Sequence, residues 1–119
     1  MSDNAAISSP ANRSFAECVF RPRFAYGEQA EVAEVTGTGD GTVLGTGFAR
    51  FRHARIPWTV QYDEVVLVIE GRLEVITEKA TLTAGPKDSL WLPKGTKLTY
   101  VSEDALVFYA IHPVNWQDG

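Results

Sequence analysis

From Ala30 onward the chain alternates apolar and polar residues in short runs, and glycine or proline marks the junctions at Gly71, Gly85-Pro86, Pro93, Gly95 and Pro113. Alternation with a period of two marks a half-buried strand, because successive side chains point to opposite faces. The pattern predicts strands over residues 32–35, 43–55, 60–69, 73–77, 81–83, 89–92, 98–101 and 106–111, with a glycine-dense turn at 37–41. No window carries a sustained helical period. About eight short strands in roughly 90 residues point to an all-β, closed or double-sheet domain.

The pattern is weaker ahead of the strands. Residues 1–13 are small and polar and read as a disordered tail. Ser14 and Glu17 have capping-box spacing, and Phe15, Cys18 and Val19 would share a helical face, so a short helical turn is expected before Pro22. Residues 23–26 look extended. Residues 14–29 are then an N-terminal extension and 30–119 the barrel domain. Phe15, Phe20 and Phe24 need an apolar surface, and a homodimer contact is expected there.

Composition narrows the classes further. At 119 residues, 45% hydrophobic and 22% charged, the chain suits a single soluble domain. Eleven basic residues against fifteen acidic ones give a net charge of −4, which argues against a nucleic-acid partner. The opening residues hold no apolar signal core and no later run is long enough to span a membrane, so a cytoplasmic chain without a membrane partner is expected. Cys18 is the single cysteine, which excludes an intramolecular disulfide; a buried thiol is its expected state.

Two segments carry more than class. One is Pro57-Trp-Thr-Val-Gln-Tyr-Asp-Glu64, followed by 65–70 and Gly71; the other is Gly85-Pro-Lys-Asp88, then 89–92 and the turn Pro93-Lys-Gly95. Glycine suits a Gly71-Arg72 hairpin needing positive φ, and Pro93-Lys-Gly95 reads as a turn with Pro at its first corner and Gly at its second. The Glu-x₆-Gly spacing and the later Pro-x-Gly resemble the paired motifs of the cupins, which implies a small jelly-roll barrel with a ligand pocket between two sheets. The resemblance covers about residues 43–113. Metal-binding cupins carry two histidines just before the glutamate and a third after the Pro-x-Gly turn. Here those positions hold Trp58 and Val60 (or Pro57 and Thr59) and Leu98, so no metal cofactor is expected. The wording around Pro57-Trp58 and Tyr62-Asp63-Glu64, with the ending Pro113-Val-Asn-Trp116, resembles the ethanolamine-utilisation EutQ-type cupins. That resemblance implies a link to ethanolamine catabolism and an acetate kinase activity ascribed to the family. The stretch at 37–47 fits neither the dinucleotide nor the phosphate-loop pattern.

The period of two along residues 58–70 puts Trp58, Val60, Tyr62, Glu64, Val66 and Val68 on one face, which the resemblance turns toward the barrel interior. A carboxylate there must be paired, hydrogen-bonded or protonated. One reading makes Glu64 and Tyr62 an acid/base pair and Trp58 an apolar wall; the other ties Glu64 to an arginine or backbone donors as a remnant of a metal site. His53 shares parity with Phe51 and Ala49 and is the candidate proton-transfer partner. Trp91, Tyr100 and Tyr109 fall on strands, and Tyr100 and Tyr109 are further candidate pocket residues. Asp63 should be solvated or paired with arginine, Asp88 should brace a turn, and Glu70 should be exposed. The expected function is binding of a small polar metabolite, with acid/base chemistry by Glu64 and Tyr62. The alternatives are an atypical metal site from His53, Glu64, Tyr62 and His112, or an accessory role in an ethanolamine-type catabolic system.

Overall fold

The computed structural model describes residues 9–23 and 26–118, and among them lie eight strands and three short 3₁₀ turns. The strands are β1 (Arg21–Pro22), β2 (Ala30–Thr36), β3 (Gly45–Thr59), β4 (Asp63–Gly71), β5 (Leu73–Ile76), β6 (Thr81–Ala84), β7 (Ser89–Leu92) and β8 (Lys97–His112). All pairings are antiparallel. One layer runs β1-β2-β3-β8-β4-β7, while β5 pairs with β6 and with β8. The all-β barrel expected from the alternation is the observed fold.

One strand, β8, is much longer than the pattern predicts, and β3 runs a few residues past its predicted end. β3 and β8 pair from Gly45↔Ile111 to Thr59↔Lys97, so the expected strands at 98–101 and 106–111 are one element. Both bend together where Arg52 faces Asp104 and Ala54 faces Ser102. Before the bend Ala49 and Phe51 are buried; after it Ala54 and Ile56 are, so the buried parity slips by one. β8 slips in step, from Leu98, Tyr100 and Ser102 to Ala105 and Val107. A matched slip on both partners keeps the register while passing the ladder from one sheet to the other. His53 sits at this corner with φ 45°. The polar run Ser102-Glu-Asp104 reads as a loop in sequence; here it is the strand corner, with Glu103 and Asp104 exposed.

The glycine at 71 also plays a different part from the one expected. β4 and β5 do not pair with each other, so Gly71-Arg72 is not a hairpin but the crossing between sheets, pressed against the corner of β8. The Arg72 N–H donates to the Asp104 carbonyl at 3.2 Å, and the Ser102 hydroxyl to the Arg72 carbonyl at 2.6 Å. At the second motif the Thr96 N–H donates to the Pro93 carbonyl, so Lys94 and Gly95 are the corners of that turn and Pro93 precedes them. Asp63 braces the same turn by accepting from the Lys94 N–H at 3.0 Å, and Asp88 accepts from the Gly85 N–H at 2.9 Å.

The N-terminal segment lies on the barrel's outer face. Ser14 makes no side-chain cap, so the expected capping box is replaced by a 3₁₀ turn, Phe15–Glu17, closed by backbone bonds. Phe15 packs edge-on against Phe48 at 4.9 Å and Phe20 at 6.1 Å, and Phe48 against Phe108 at 5.1 Å. Phe15 and Phe20 thus find their apolar surface within their own chain; Phe24 lies outside the described residues. Of the stretch 23–26 expected to be extended, residues 24 and 25 lie outside the described residues, and the Tyr26 N–H donates to the Arg23 carbonyl at 2.9 Å. Cys18 is half-buried rather than buried, its thiol turned to the Ser14 carbonyl. No helix among the described residues is long and apolar enough to cross a membrane.

Candidate functional site

The buried face predicted for residues 58–68 is interrupted by the chain reversal at Val60–Tyr62, but Val60, Tyr62, Glu64, Val66 and Val68 all turn inward. Within β4 burial alternates, Glu64, Val66 and Val68 inward and Val65, Leu67 and Ile69 outward, with Glu64 standing opposite Leu92 of β7 and Ile111 of β8. The inner side chains leave a cavity of about 290 Å³. Its walls are apolar, from Val32, Phe51, Val66, Leu73, Val107 and Ile111. Its polar groups are Arg23, Tyr62, Glu64, Tyr100, Tyr109 and Gln117, and Trp116 also lines it.

Glu64 is the chemical centre. Only 7% of it is exposed, and Tyr100 donates its hydroxyl to Oε1 at 3.0 Å. Burial disfavours the carboxylate and pushes the acid up to about 7, against the opposing pull of the Tyr100 hydrogen bond and the Arg23 charge. Burial also raises Tyr62, to about 12, with the nearby Glu64 adding to it, while Arg23 and hydrogen bonds from Trp58 and Arg23 oppose it. Tyr100 and Tyr109 are pushed up chiefly by burial as well. All three tyrosines therefore remain phenols at neutral pH.

Tyr62, Glu64, Tyr100 and Tyr109, named from sequence, meet at one cavity. Trp58 does not line it. It lies one layer back, in edge contact with Trp116 at 5.9 Å and beneath the Arg23 guanidinium at 5.1 Å, lining an adjoining cavity with Tyr26 and Ile56. His53 is also elsewhere. Its ring is 84% exposed and its Nδ1 pairs with Glu103 at 2.9 Å, because the slip at the corner reverses the parity it shared with Phe51 in sequence. His112 is exposed and stands opposite Asp63, on the other face from Glu64. The set His53, Glu64, Tyr62 and His112 is therefore not brought together. Among the described residues no three of His, Cys, Asp and Glu gather to hold a metal. The positions where metal cupins place imidazoles hold half-buried Trp58 and buried Val60 and Leu98. One carboxyl that resists ionisation, beside an arginine, does not fit a first-row metal.

Sequence reasoning missed Arg23, Trp116 and Gln117. Arg23 had no signal, since it sits in the irregular stretch and reaches the cavity only because β1 pairs with β2. Trp116 did have one, as an aromatic just past the last strand; its ring meets Tyr62 at 5.3 Å in the 3₁₀ turn Trp116–Asp118.

A two-sheet antiparallel barrel with a ligand-sized cavity and an inward glutamate ahead of the sheet-crossing glycine is a cupin. The chain belongs to the family described as ethanolamine utilisation protein EutQ, whose sequence model matches residues 21–118. It is 38% identical over 84 residues to the acetate kinase EutQ of Escherichia coli (strain K12), an alignment covering 70% of this chain and 36% of that protein. The chain thus spans about a third of that relative's length. The crystal structure of an ethanolamine utilisation protein Q from Salmonella typhimurium LT2 superposes with a TM-score of 0.79 at 26% identity, over 86% of this chain and 85% of that one. The EutQ protein of Clostridium difficile superposes at 0.69 with 25% identity, over 73% of this chain and 64% of that one.

Proposed function

We propose that this barrel binds a small polar metabolite in the cavity around Glu64, with Glu64 as proton donor and acceptor and Tyr62 as hydrogen-bonding partner. The observation that carries the reading is a buried carboxyl, poised between its two protonation states near neutral pH, that lines a cavity of about 290 Å³. A fully packed core would have no such space. A ligand that binds only the folded state raises stability by about 2.7 kcal/mol at a hundredfold excess over its Kd. A panel of small polar metabolites should therefore contain members that raise the unfolding temperature of the wild type. Val66→Phe, which fills the cavity from β4, should abolish that rise. A panel with no effect, or an undiminished effect in the filled variant, would refute the reading.

An acetate kinase activity is the second reading, and what favours it is the name of relatives that match over 84 residues at 38% identity. It predicts acetyl phosphate formation from acetate and ATP by this chain alone; no formation above a no-protein control counts against it.

We further propose a homodimer, with its contact on the outer face of β4 and β7 and continuing to Phe15 of the N-terminal segment. Val65, Leu67, Ile69 and Trp91 are 44%, 39%, 38% and 59% exposed there, and the patch continues into the Phe108–Phe48–Phe15 cluster. A second copy is the fitting occupant, since these residues carry no charge for a partner to read and a two-fold pair can cover like with like. Sedimentation equilibrium at micromolar concentration should show a dimer in the wild type and a monomer in Trp91→Glu. A monomeric wild type would overturn the assignment.

A further inference from the structure

We propose, resting on the reading of the Glu64 cavity as a binding site, that the adjoining cavity is its second lobe. This lobe takes the aromatic ring of an uncharged aryl alcohol whose hydroxyl sits beside Glu64.

The two cavities meet at one partition. The one around Glu64 holds about 290 Å³ and the adjoining one about 310 Å³, and Arg23, Trp116 and Gln117 line both. None of the three lies in a strand: Arg23 follows β1, and Trp116 and Gln117 belong to the 3₁₀ turn after β8. The partition is therefore made of side chains and short turns rather than of a hydrogen-bonded ladder. The Trp116 ring stands at the division, 5.3 Å from Tyr62 of the first cavity and 5.9 Å from Trp58 of the second. Both are edge contacts between rings, so turning that one side chain widens the passage between the lobes.

The walls of the second lobe suit a ring. Buried Ile56 lines it, together with half-buried Tyr26, Trp58 and Trp116. An apolar space of about 150 Å³ is enough to hold benzene, so the lobe has room for a substituted ring. Aromatic rings meet best edge-on or offset, and three aromatic walls offer such contacts. Arg23 adds a cation. Its guanidinium lies 5.1 Å over Trp58 and borders the lobe, where it attracts a π face more strongly than a saturated ring of the same size.

The other end of the ligand follows from the first cavity. There the Glu64 carboxyl, the Tyr62 and Tyr109 hydroxyls and Arg23 present acceptors and donors together. A hydroxyl both donates and accepts, and is satisfied there without carrying a further charge between apolar walls.

Four probes separate the two halves: benzyl alcohol, cyclohexylmethanol with a saturated ring, toluene with no hydroxyl, and propanol with no ring. The chain has three tryptophans, and Trp91 is exposed on the outer face of β7, so the indole N–H resonances carry their own control. Benzyl alcohol should move the Trp58 and Trp116 resonances and leave Trp91 in place. It should bind about tenfold more tightly than propanol, from burial of the ring, and more tightly than toluene. Over cyclohexylmethanol the advantage should be about fivefold. Tyr26→Leu and Trp58→Leu keep the walls apolar, and each should bring benzyl alcohol down toward cyclohexylmethanol in a chain of unchanged circular dichroism. Because Trp58 also supports Arg23, Tyr26→Leu is the deciding variant. Val66→Phe, at a residue lining the first cavity and not the second, should weaken benzyl alcohol to the level of toluene.

Cyclohexylmethanol or toluene binding as tightly as benzyl alcohol would overturn the proposal, as would unmoved Trp58 and Trp116 resonances or an unaffected Tyr26→Leu. If propanol binds and the ring adds nothing, this inference fails and the Glu64 cavity remains a binding site. If none of the four binds, this inference fails, and the metabolite panel with Val66→Phe decides the Glu64 cavity on its own.

Discussion

Glu64→Gln is expected to make the protein more stable by about 3 kcal/mol at pH 8 and to change it little near pH 4. The sign follows from where the proton sits. Burial lifts the folded-state acid from 4.5 to about 7, so the folded chain holds this proton more tightly than the unfolded one. The associated stability is fully present below about pH 4.5, is lost as pH rises toward 7, and is absent above it. At about 1.4 kcal/mol per pH unit, that interval corresponds to about 3 kcal/mol. Glutamine matches the neutral acid in shape, cannot ionise, and still offers an oxygen to the Tyr100 hydroxyl. Urea unfolding of both proteins from pH 4 to 9 checks this, because every other carboxylate titrates alike in the pair and cancels in the difference. A difference that stays flat with pH would show that Glu64 titrates alike in the folded and unfolded chain, and the acid/base reading of the site would fall with it.

Gly71→Ala should be the most damaging single-methyl change in the barrel, costing about 4 kcal/mol out of the roughly 5–15 typical of a domain. Two effects combine. At φ 80° any Cβ crowds its own backbone, which costs about 1–2 kcal/mol. The added carbon would also strike the Asp104 carbonyl oxygen and lie 2.9 Å from the Ala105 Cα, and neither can move without unbending the corner of β8. Gly95→Ala separates the two effects, since at φ 94° its Cβ meets nothing within 4 Å and only the conformational cost applies. Unfolding free energies of the two variants should therefore differ by about 2–3 kcal/mol. Equal losses would mean that the crossing at Gly71 is looser than the geometry requires.

These two residues show how far the sequence could be read. Gly71 was recognisable from its spacing after Glu64, and its positive φ was expected, yet the expected hairpin is a sheet crossing. Positive φ is a local property of one residue, while the strand that Gly71 presses against lies more than thirty positions away. The same holds for His53. Parity counting works while a strand stays regular, and a matched slip on two partners leaves no mark in either strand alone. Trp58 was placed on the correct face but one layer too far forward, because the residue in front of it, Trp116, arrives from the far end of the chain.

The alternation of side chains along the chain was enough to determine the all-β class and to put Tyr62, Glu64, Val66 and Val68 on one face, which the cupin resemblance turned inward. Each of these depends on a residue and its near neighbours, which is the range over which strand periodicity acts. The tertiary structure alone decided that β3 and β8 run unbroken through both sheets, that His53 faces solvent, and that Arg23 and Trp116 line the same cavity as Glu64. Those outcomes depend on which strands pair and where the ladder bends. Long-range pairing of that kind is selected by burying the whole core at once, and no short stretch of residues encodes it.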